Sequence, residues 1–305
     1  MNDGKIDWSG NFVAIATPFD KEGGIDEDLF RANVALMIDE GADGIVVAGC
    51  TGEAWALTPD ERLHLFALAA DEAGEVPVIG GTAGVSTRQT AELSKAAVAA
   101  GCAGALVMPP YYAVIKEREI KAHFQAISDT AQVPIFLYNM PKRTGINMSP
   151  SFISEICDLE WIVALKQSSN DYNELVATLA SAGDKIQVFA GHSAERGFGA
   201  ILMGCPGYVS SMESQVMGRE AIGMARLAQD TKLEEGRRVQ HRTAQLDKGM
   251  RAVGTFPSNM KCAMNLLGRP GGYCRAPLLD LDADETARVE AVLDGLGLTA
   301  RASAA

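Results

Sequence analysis

The 305-residue chain has no long apolar run: no stretch approaches the ~18 uninterrupted apolar residues that would span a bilayer. Met1–Gly10 is polar and acidic, without the apolar core of an export signal, so a cytoplasmic location is expected. Basic residues are scarce relative to acidic ones. Twenty-seven Lys and Arg against 39 Asp and Glu leave a net charge of −12. Nucleic acid and anionic membranes are therefore not expected as partners, because both need clustered cations. A small anionic substrate is not excluded, since one or two local cations set the potential inside a pocket. The four histidines, His64, His123, His192 and His241, show neither H-x-x-x-H nor H-x-x-E spacing. The six cysteines are scattered without a C-x-x-C and read as reduced thiols, mostly core fillers. No metal and no other cofactor is expected.

What is present is an ordinary globular composition, 47% apolar and 22% charged, arranged in a repeating alternation. Short apolar segments read as strands at 11–19, 44–49, 76–81, 103–108, 133–138, 161–166, 185–190 and, more weakly, 207–211. Helical spacing fills the intervals. It runs over Asp26–Glu40, after the capping box that Thr58 and Glu61 make around Pro59, from Ser86 to near Gly101, over about 116–130, and from Pro150. Eight βα units close most naturally into an α/β fold of the (β/α)8 TIM-barrel type. An open doubly wound sheet is the alternative, but no G-x-G-x-x-G follows the first strand. From Gly218 the pattern turns helical, with breaks near Phe256-Pro257 and from Gly268 to Pro277. The expected division is a barrel over 1–217 and a C-terminal helical region over 218–305 packed on it, with Ala300–Ala305 fraying.

Barrel enzymes carry their chemistry at the C-terminal ends of the strands. Here those ends bring hydroxyls (Thr17, Thr51, Thr82, Ser193, Ser210, Ser211), tyrosines (Tyr111, Tyr112, Tyr138), one histidine (His192) and one lysine, Lys166. A glycosidase needs a carboxylate pair and a metal-dependent aldolase needs converging ligands; neither set is present in this list. The set suits an amine that attacks a carbonyl while a phenol moves protons. Lys166 closes the apolar stretch Ile162-Val163-Ala164-Leu165. Partial desolvation there would lower its pKa and free the amine for that attack. The competing reading is a lysine whose stem lies on the core and whose head reaches water. Gly49-Cys50-Thr51-Gly52-Glu53, between a strand and a helix, lets successive amides converge on an anion, but a plain βα turn explains it equally well.

Four motifs in order, Gly49-Cys50-Thr51-Gly52-Glu53, Pro110-Tyr111-Tyr112, Tyr138-Asn139-Met140-Pro141-Lys142-Arg143-Thr144-Gly145 and Ala164-Leu165-Lys166, resemble the dihydrodipicolinate synthase/N-acetylneuraminate lyase family of Schiff-base-forming class I aldolases and lyases. The likeness runs from about Gly10 to about Gly297. It implies a TIM barrel with a C-terminal helical region, assembled as a homotetramer of two tight dimers, and an activity on pyruvate or another 2-keto acid without a cofactor. It further implies an imine between Lys166 and C2 of the keto acid, and proton transfer by Tyr138. Thr51, Cys50 and the amides of their loop would hold the keto-acid carboxylate. Tyr112 would complete a hydroxyl relay in the neighbouring subunit. Arg143 would bind a second carboxylate. His192 is open to two readings, contact with a polyhydroxylated substrate tail and a structural hydrogen bond, and Val209 is a further candidate for substrate contact.

Three departures separate the chain from the family's synthases. Cys50 replaces a hydroxyl residue and is a poorer hydrogen-bond donor, Gln167 stands where glutamate is common, and Gly191-His192-Ser193 lacks an expected acidic pair. The helix after Glu53 also carries Trp55, Pro59 and Arg62 where lysine-inhibited synthases carry small residues and histidines, so no feedback inhibition by lysine is expected there. The leading expectation is a lyase resembling dihydrodipicolinate synthase, an activity of lysine biosynthesis. A 2-keto-3-deoxy sugar acid aldolase or dehydratase, or a related deaminase, is the alternative. A non-catalytic 2-keto acid-binding regulator is a third, which the presence of both Lys166 and Tyr138 argues against.

Overall fold

A computed structural model describes residues 7–298. The polar N-terminal stretch 1–6 and the expected fraying of 300–305 lie outside the described residues. Eight strands, β1 (Gly10–Ala14), β2 (Gly44–Val47), β3 (Val78–Gly81), β4 (Gly104–Val107), β5 (Ile135–Asn139), β6 (Ile162–Gln167), β7 (Gln187–Ala190) and β8 (Gly207–Ser210), pair in sequence order. The β1–β8 pairing closes the barrel, and every ladder is parallel. The apolar segments of the sequence exceed seven of these strands by one to four residues, because apolar content continues past the ends of the regular ladders.

Helices α1 (Glu27–Asp39), α2 (Pro59–Ala73), α3 (Thr87–Ala99), α4 (Glu117–Ala131), α5 (Pro141–Thr144), α6 (Pro150–Ile156), α7 (Tyr172–Ala182) and α8 (Ser193–Leu202) separate the strands. Their starts follow the capping chemistry of the sequence. Asp26, Ser86, Ser149 and Asp171 each accept a first-turn N–H, and Thr58 and Glu61 form the full capping box. After β8 come α9 (Met212–Met217), α10 (Arg219–Ile222), α11 (Met224–Gln229), α12 (Leu233–Met250), α13 (Ser258–Leu266) and α14 (Ala283–Gly295). The apolar faces of α9, α12, α13 and α14 form one cluster, with Val216, Leu246, Met250, Met260, Met264 and Val289 buried together against Ala16 of the barrel, while Met224, Ala225 and Ala228 of α11 pack into the barrel's outer core. No helix among the described residues is long and apolar enough to cross a membrane.

Strand alternation sorts the apolar residues into two sets. Phe12, Ala14, Val46, Ile79, Leu106, Phe136, Tyr138, Ala164, Phe189 and Val209 face one another inside the barrel. Their strand neighbours, such as Leu137, Leu165, Val188 and Tyr208, face the helices. At the N-terminal end Phe136 stacks on Trp8, with ring centroids 5.7 Å apart, and Phe189 meets Phe12 edge-on at 5.1 Å, so this end is plugged by aromatic rings. Among the described residues, the interior opens toward the strands' C-terminal ends. Of the six cysteines, Cys102, Cys157 and Cys205 are buried and Cys50, Cys262 and Cys274 half-buried, all as free thiols. Burial pushes the first three up to about 12, as expected of inert core thiols.

Candidate active site

Lys166 lies one residue inside the end of β6, in register with Tyr138 of β5. Because Ala164 faces the interior, Lys166 two residues on faces it too. Its side chain is buried, and the ammonium sits 4.5 Å from the centre of the Tyr138 ring. Burial lowers the amine from 10.5 to about 8, with Cys50 and Glu213 opposing the change only in part. This burial does not fit the snorkelling alternative, which needs the head group in bulk water. Tyr138 is also buried. Desolvation first and the Cys50 thiol second push its phenol well above 10, while Ser168 and Arg143 pull in the opposite direction. The phenol is therefore a proton-bearing group at neutral pH, placed against an amine that is unprotonated for part of the time.

These two side chains border a cavity of about 750 Å³ that also receives Cys50, Thr51, Arg143, His192 and Val209. Seven of the eight residues singled out from sequence thus meet in one space. The eighth, Tyr112, stands on the loop after β4 with φ +74° and is 96% exposed, away from the cavity of its own chain. Its neighbour Tyr111 instead joins Cys50, Trp55, Tyr138 and Arg143 around a smaller apolar recess beside the main one. The Arg143 guanidinium lies over the Trp55 ring, 5.3 Å from its centre, between the two spaces.

The Gly49–Glu53 loop is held by long-range contacts. The Gly52 carbonyl accepts from Thr17 Oγ1 at 2.8 Å, and a Cβ on Gly52 would meet the Ala48 backbone at 3.0 Å. Glu53 is fully buried at φ +53° and accepts from Lys261 Nζ at 2.5 Å and from the Arg275 N–H at 3.1 Å. Lys261 also donates to the carbonyls of Thr17 and Tyr273, both at 2.7 Å. An ion pair between α13 and the loop therefore anchors Thr51 from the C-terminal side. Sequence reasoning missed Lys261 because nothing local pairs it with a residue 208 positions earlier.

Two departures noted in the sequence acquire physical content. Gln167 points away from Lys166, out of the barrel. There it accepts from Asn139 Nδ2 at 3.0 Å and donates to Thr178 Oγ1 at 3.1 Å, so its role is to tie strands to α7. His192 adopts φ +51°, and its Nε2 lies 3.1 Å from the Ser168 carbonyl. With that carbonyl an acceptor, Nε2 carries the proton, and burial lowers the imidazole to about 4, so the ring is neutral. Sequence reading also missed Glu213, a buried carboxyl on the cavity wall at the start of α9. No group of three or more His, Cys, Asp or Glu that could hold a metal occurs among the described residues.

A closed parallel barrel with a desolvated lysine against a tyrosine at its open end defines a class I lyase of the Schiff-base type. The family model described as dihydrodipicolinate synthetase family matches residues 7–296, and the chain belongs to that family. It is 32% identical over 294 residues to the 4-hydroxy-tetrahydrodipicolinate synthase of Syntrophotalea carbinolica, covering 95% of this chain and 99% of that one. Among solved structures, the dihydrodipicolinate synthase of Aquifex aeolicus superimposes with a TM-score of 0.89 at 29% identity over 96% of this chain and 100% of that one. An E. coli prophage protein of the same family, solved in complex with pyruvate, gives a TM-score of 0.90 at 26% identity over 95% and 99% of the two chains.

Proposed function

We propose that the protein condenses pyruvate, or a closely related 2-keto acid, with an aldehyde through an imine on Lys166, in the manner of a 4-hydroxy-tetrahydrodipicolinate synthase. One observation carries this reading: the amine is lowered to about 8 and packed on the phenol of Tyr138 inside the cavity. At pH 7 roughly one such amine in ten is unprotonated, against roughly one in three thousand for an ordinary lysine. The unprotonated amine attacks C2, water leaves, and loss of a C3 proton gives the enamine that attacks the aldehyde. Tyr138 carries protons at the imine end, and Thr51 with the loop amides holds the keto-acid carboxylate. Arg143 receives a second acidic group at the mouth, and His192 and Val209 contact the substrate.

Tyr112, exposed in the single chain, fits a role at a subunit contact, and we infer a homotetramer of two tight dimers acting in the cytoplasm. The barrel over 1–217 and the helices over 218–305 act as one unit in this reading, because α13 holds the Thr51 loop. A second acceptor class, hydroxylated aldehydes as in 2-keto-3-deoxy sugar acid aldolases, is favoured by the polar wall of His192, Ser193, Glu195, Glu213 and Asn259 facing the cavity.

Borohydride reduction in the presence of pyruvate tests the imine. The expected result is a pyruvate-derived mass increment on the peptide carrying Lys166, lost in Lys166→Ala and Lys166→Arg. Labelling elsewhere, or none, would refute the assignment. Comparing pyruvate plus aspartate semialdehyde with pyruvate plus glyceraldehyde then separates the two acceptor classes.

A further inference from the structure

We propose that Glu213, working with Ser193, is a second proton-carrying group of the site, serving the oxygen of the acceptor aldehyde while Tyr138 serves the imine. The inference rests on the reading of Lys166 given above. Glu213 opens α9 just after β8, and Ser193 opens α8 just after β7. Both line the cavity that holds Lys166, and both are almost fully buried.

The hydrogen bonds around this pair allow two placements of one proton. Ser193 Oγ lies 3.2 Å from the Val209 carbonyl and also in contact with Glu213 Oε1. A serine hydroxyl has one proton and a carbonyl can only accept. With the Ser193 proton directed to Glu213 Oε1, its shorter contact, the carboxyl accepts and Val209 goes without a donor from Ser193; with the proton on Val209, the contact to Glu213 is a hydrogen bond only when the carboxyl is the donor. The other carboxyl oxygen, Oε2, accepts from the Ser211 N–H at 3.3 Å. A carboxylic acid therefore satisfies every group, whereas a carboxylate leaves Val209 or itself short of a donor.

The charges nearby act in both directions. The Lys166 ammonium of β6 attracts a carboxylate at Glu213, and Asp247 of α12 repels one. Arg251 pairs with Asp247 at 2.5 Å and with Glu195 at 3.5 Å, so this guanidinium is committed elsewhere. His192, beside the pair, is neutral, and the phenol of Tyr208 is itself fully buried. Burial dominates and holds Glu213 above the usual carboxylate range, opposed in part by Ser193.

In the condensing direction C3 of the enamine forms the new bond to the aldehyde carbon. The carbonyl electron pair moves onto the aldehyde oxygen, which takes the proton of Glu213 and becomes a hydroxyl. Ser193 and the Ser211 N–H hold the resulting carboxylate until solvent returns a proton. Cleavage runs through the same steps reversed.

The test uses Glu213→Gln, which keeps the volume and removes the transferable proton. Exchange of the pyruvate methyl protons in D2O, followed by NMR, reports imine and enamine formation without any acceptor. Condensation is measured with whichever of aspartate semialdehyde and glyceraldehyde the parent enzyme accepts. Infrared difference spectra of the free enzymes report a protonated carboxyl. The expected outcome is a carboxylic-acid band in the parent that is absent from the variant, exchange within about twofold, and kcat for condensation lower by about 10² with KM little changed. Ser193→Ala removes a donor to the carboxylate and is expected to move the alkaline limb of the condensation profile to higher pH. A parent without the acid band, or a Glu213→Gln enzyme that condenses at the parent rate, would overturn the proposal. A parent that exchanges no pyruvate protons would refute the imine reading instead, and this proposal with it.

Discussion

Replacing Lys166 by methionine should make the protein more stable as well as inactive. In the folded chain the amine titrates at about 8 rather than 10.5, and that difference corresponds to about 3 kcal/mol of penalty for carrying the proton inside the barrel. Below pH 8 the folded and unfolded states both hold the proton, and the penalty applies in full. Between 8 and 10.5 the unfolded chain binds a proton that the folded chain has released, so the parent gains stability as pH rises. Above 10.5 both are neutral and the penalty is gone. Methionine has nearly the same length and no charge, so Lys166→Met should exceed the parent by up to about 3 kcal/mol at pH 7. The margin should shrink steadily toward pH 10. Urea unfolding at fixed protein concentration, at pH 7 and at pH 10, measures both quantities; fixed concentration matters because assembly adds to apparent stability. Equal or lower stability of Lys166→Met at pH 7, or a margin that does not change with pH, would show that the amine is not desolvated and would remove its claim to be a nucleophile.

Three further outcomes are expected. Tyr138→Phe keeps the ring beside Lys166 and should retain borohydride trapping, while exchange of pyruvate methyl protons falls by about 10²–10⁴; exchange at the parent rate would dismiss the phenol as proton carrier. Lys261→Met leaves Glu53 buried without its cation and should cost about 3–5 kcal/mol in urea unfolding, with weaker pyruvate binding because the Thr51 loop is released. Free lysine should not inhibit in a titration, since Arg62 spends its guanidinium on the carbonyls of Ala54 and Ala83 and Trp55 lies under Arg143; inhibition that Trp55→Ala alters would contradict this.

The barrel was legible because each βα unit announces itself locally. Apolar strands, a Thr58 capping box and helix-opening prolines are read within a few residues. Lys166, Tyr138 and Thr51 were legible for a related reason: each stands at or just past a strand's end, and a parallel barrel gathers those ends at one mouth, whereas Arg143, inside α5, was legible only through the motif that follows Tyr138. The meaning of Gln167 was not legible, because whether it faces inward or outward depends on strand register, and only the pairing of β5 with β6 turns it toward Thr178.

What the sequence determined alone, then, was the order of elements and the chemical types presented at their ends, since both follow from short-range propensity and side-chain period. Only the tertiary structure decided how those groups differ from their ordinary selves. The lowered amine of Lys166, the neutral His192 and the buried carboxyl of Glu213 arise from desolvation by residues far away in the chain. Lys261 reaches Glu53 across 208 positions for the same reason. Desolvation and long-range pairing are properties of a closed volume, and a chain has no closed volume until it folds.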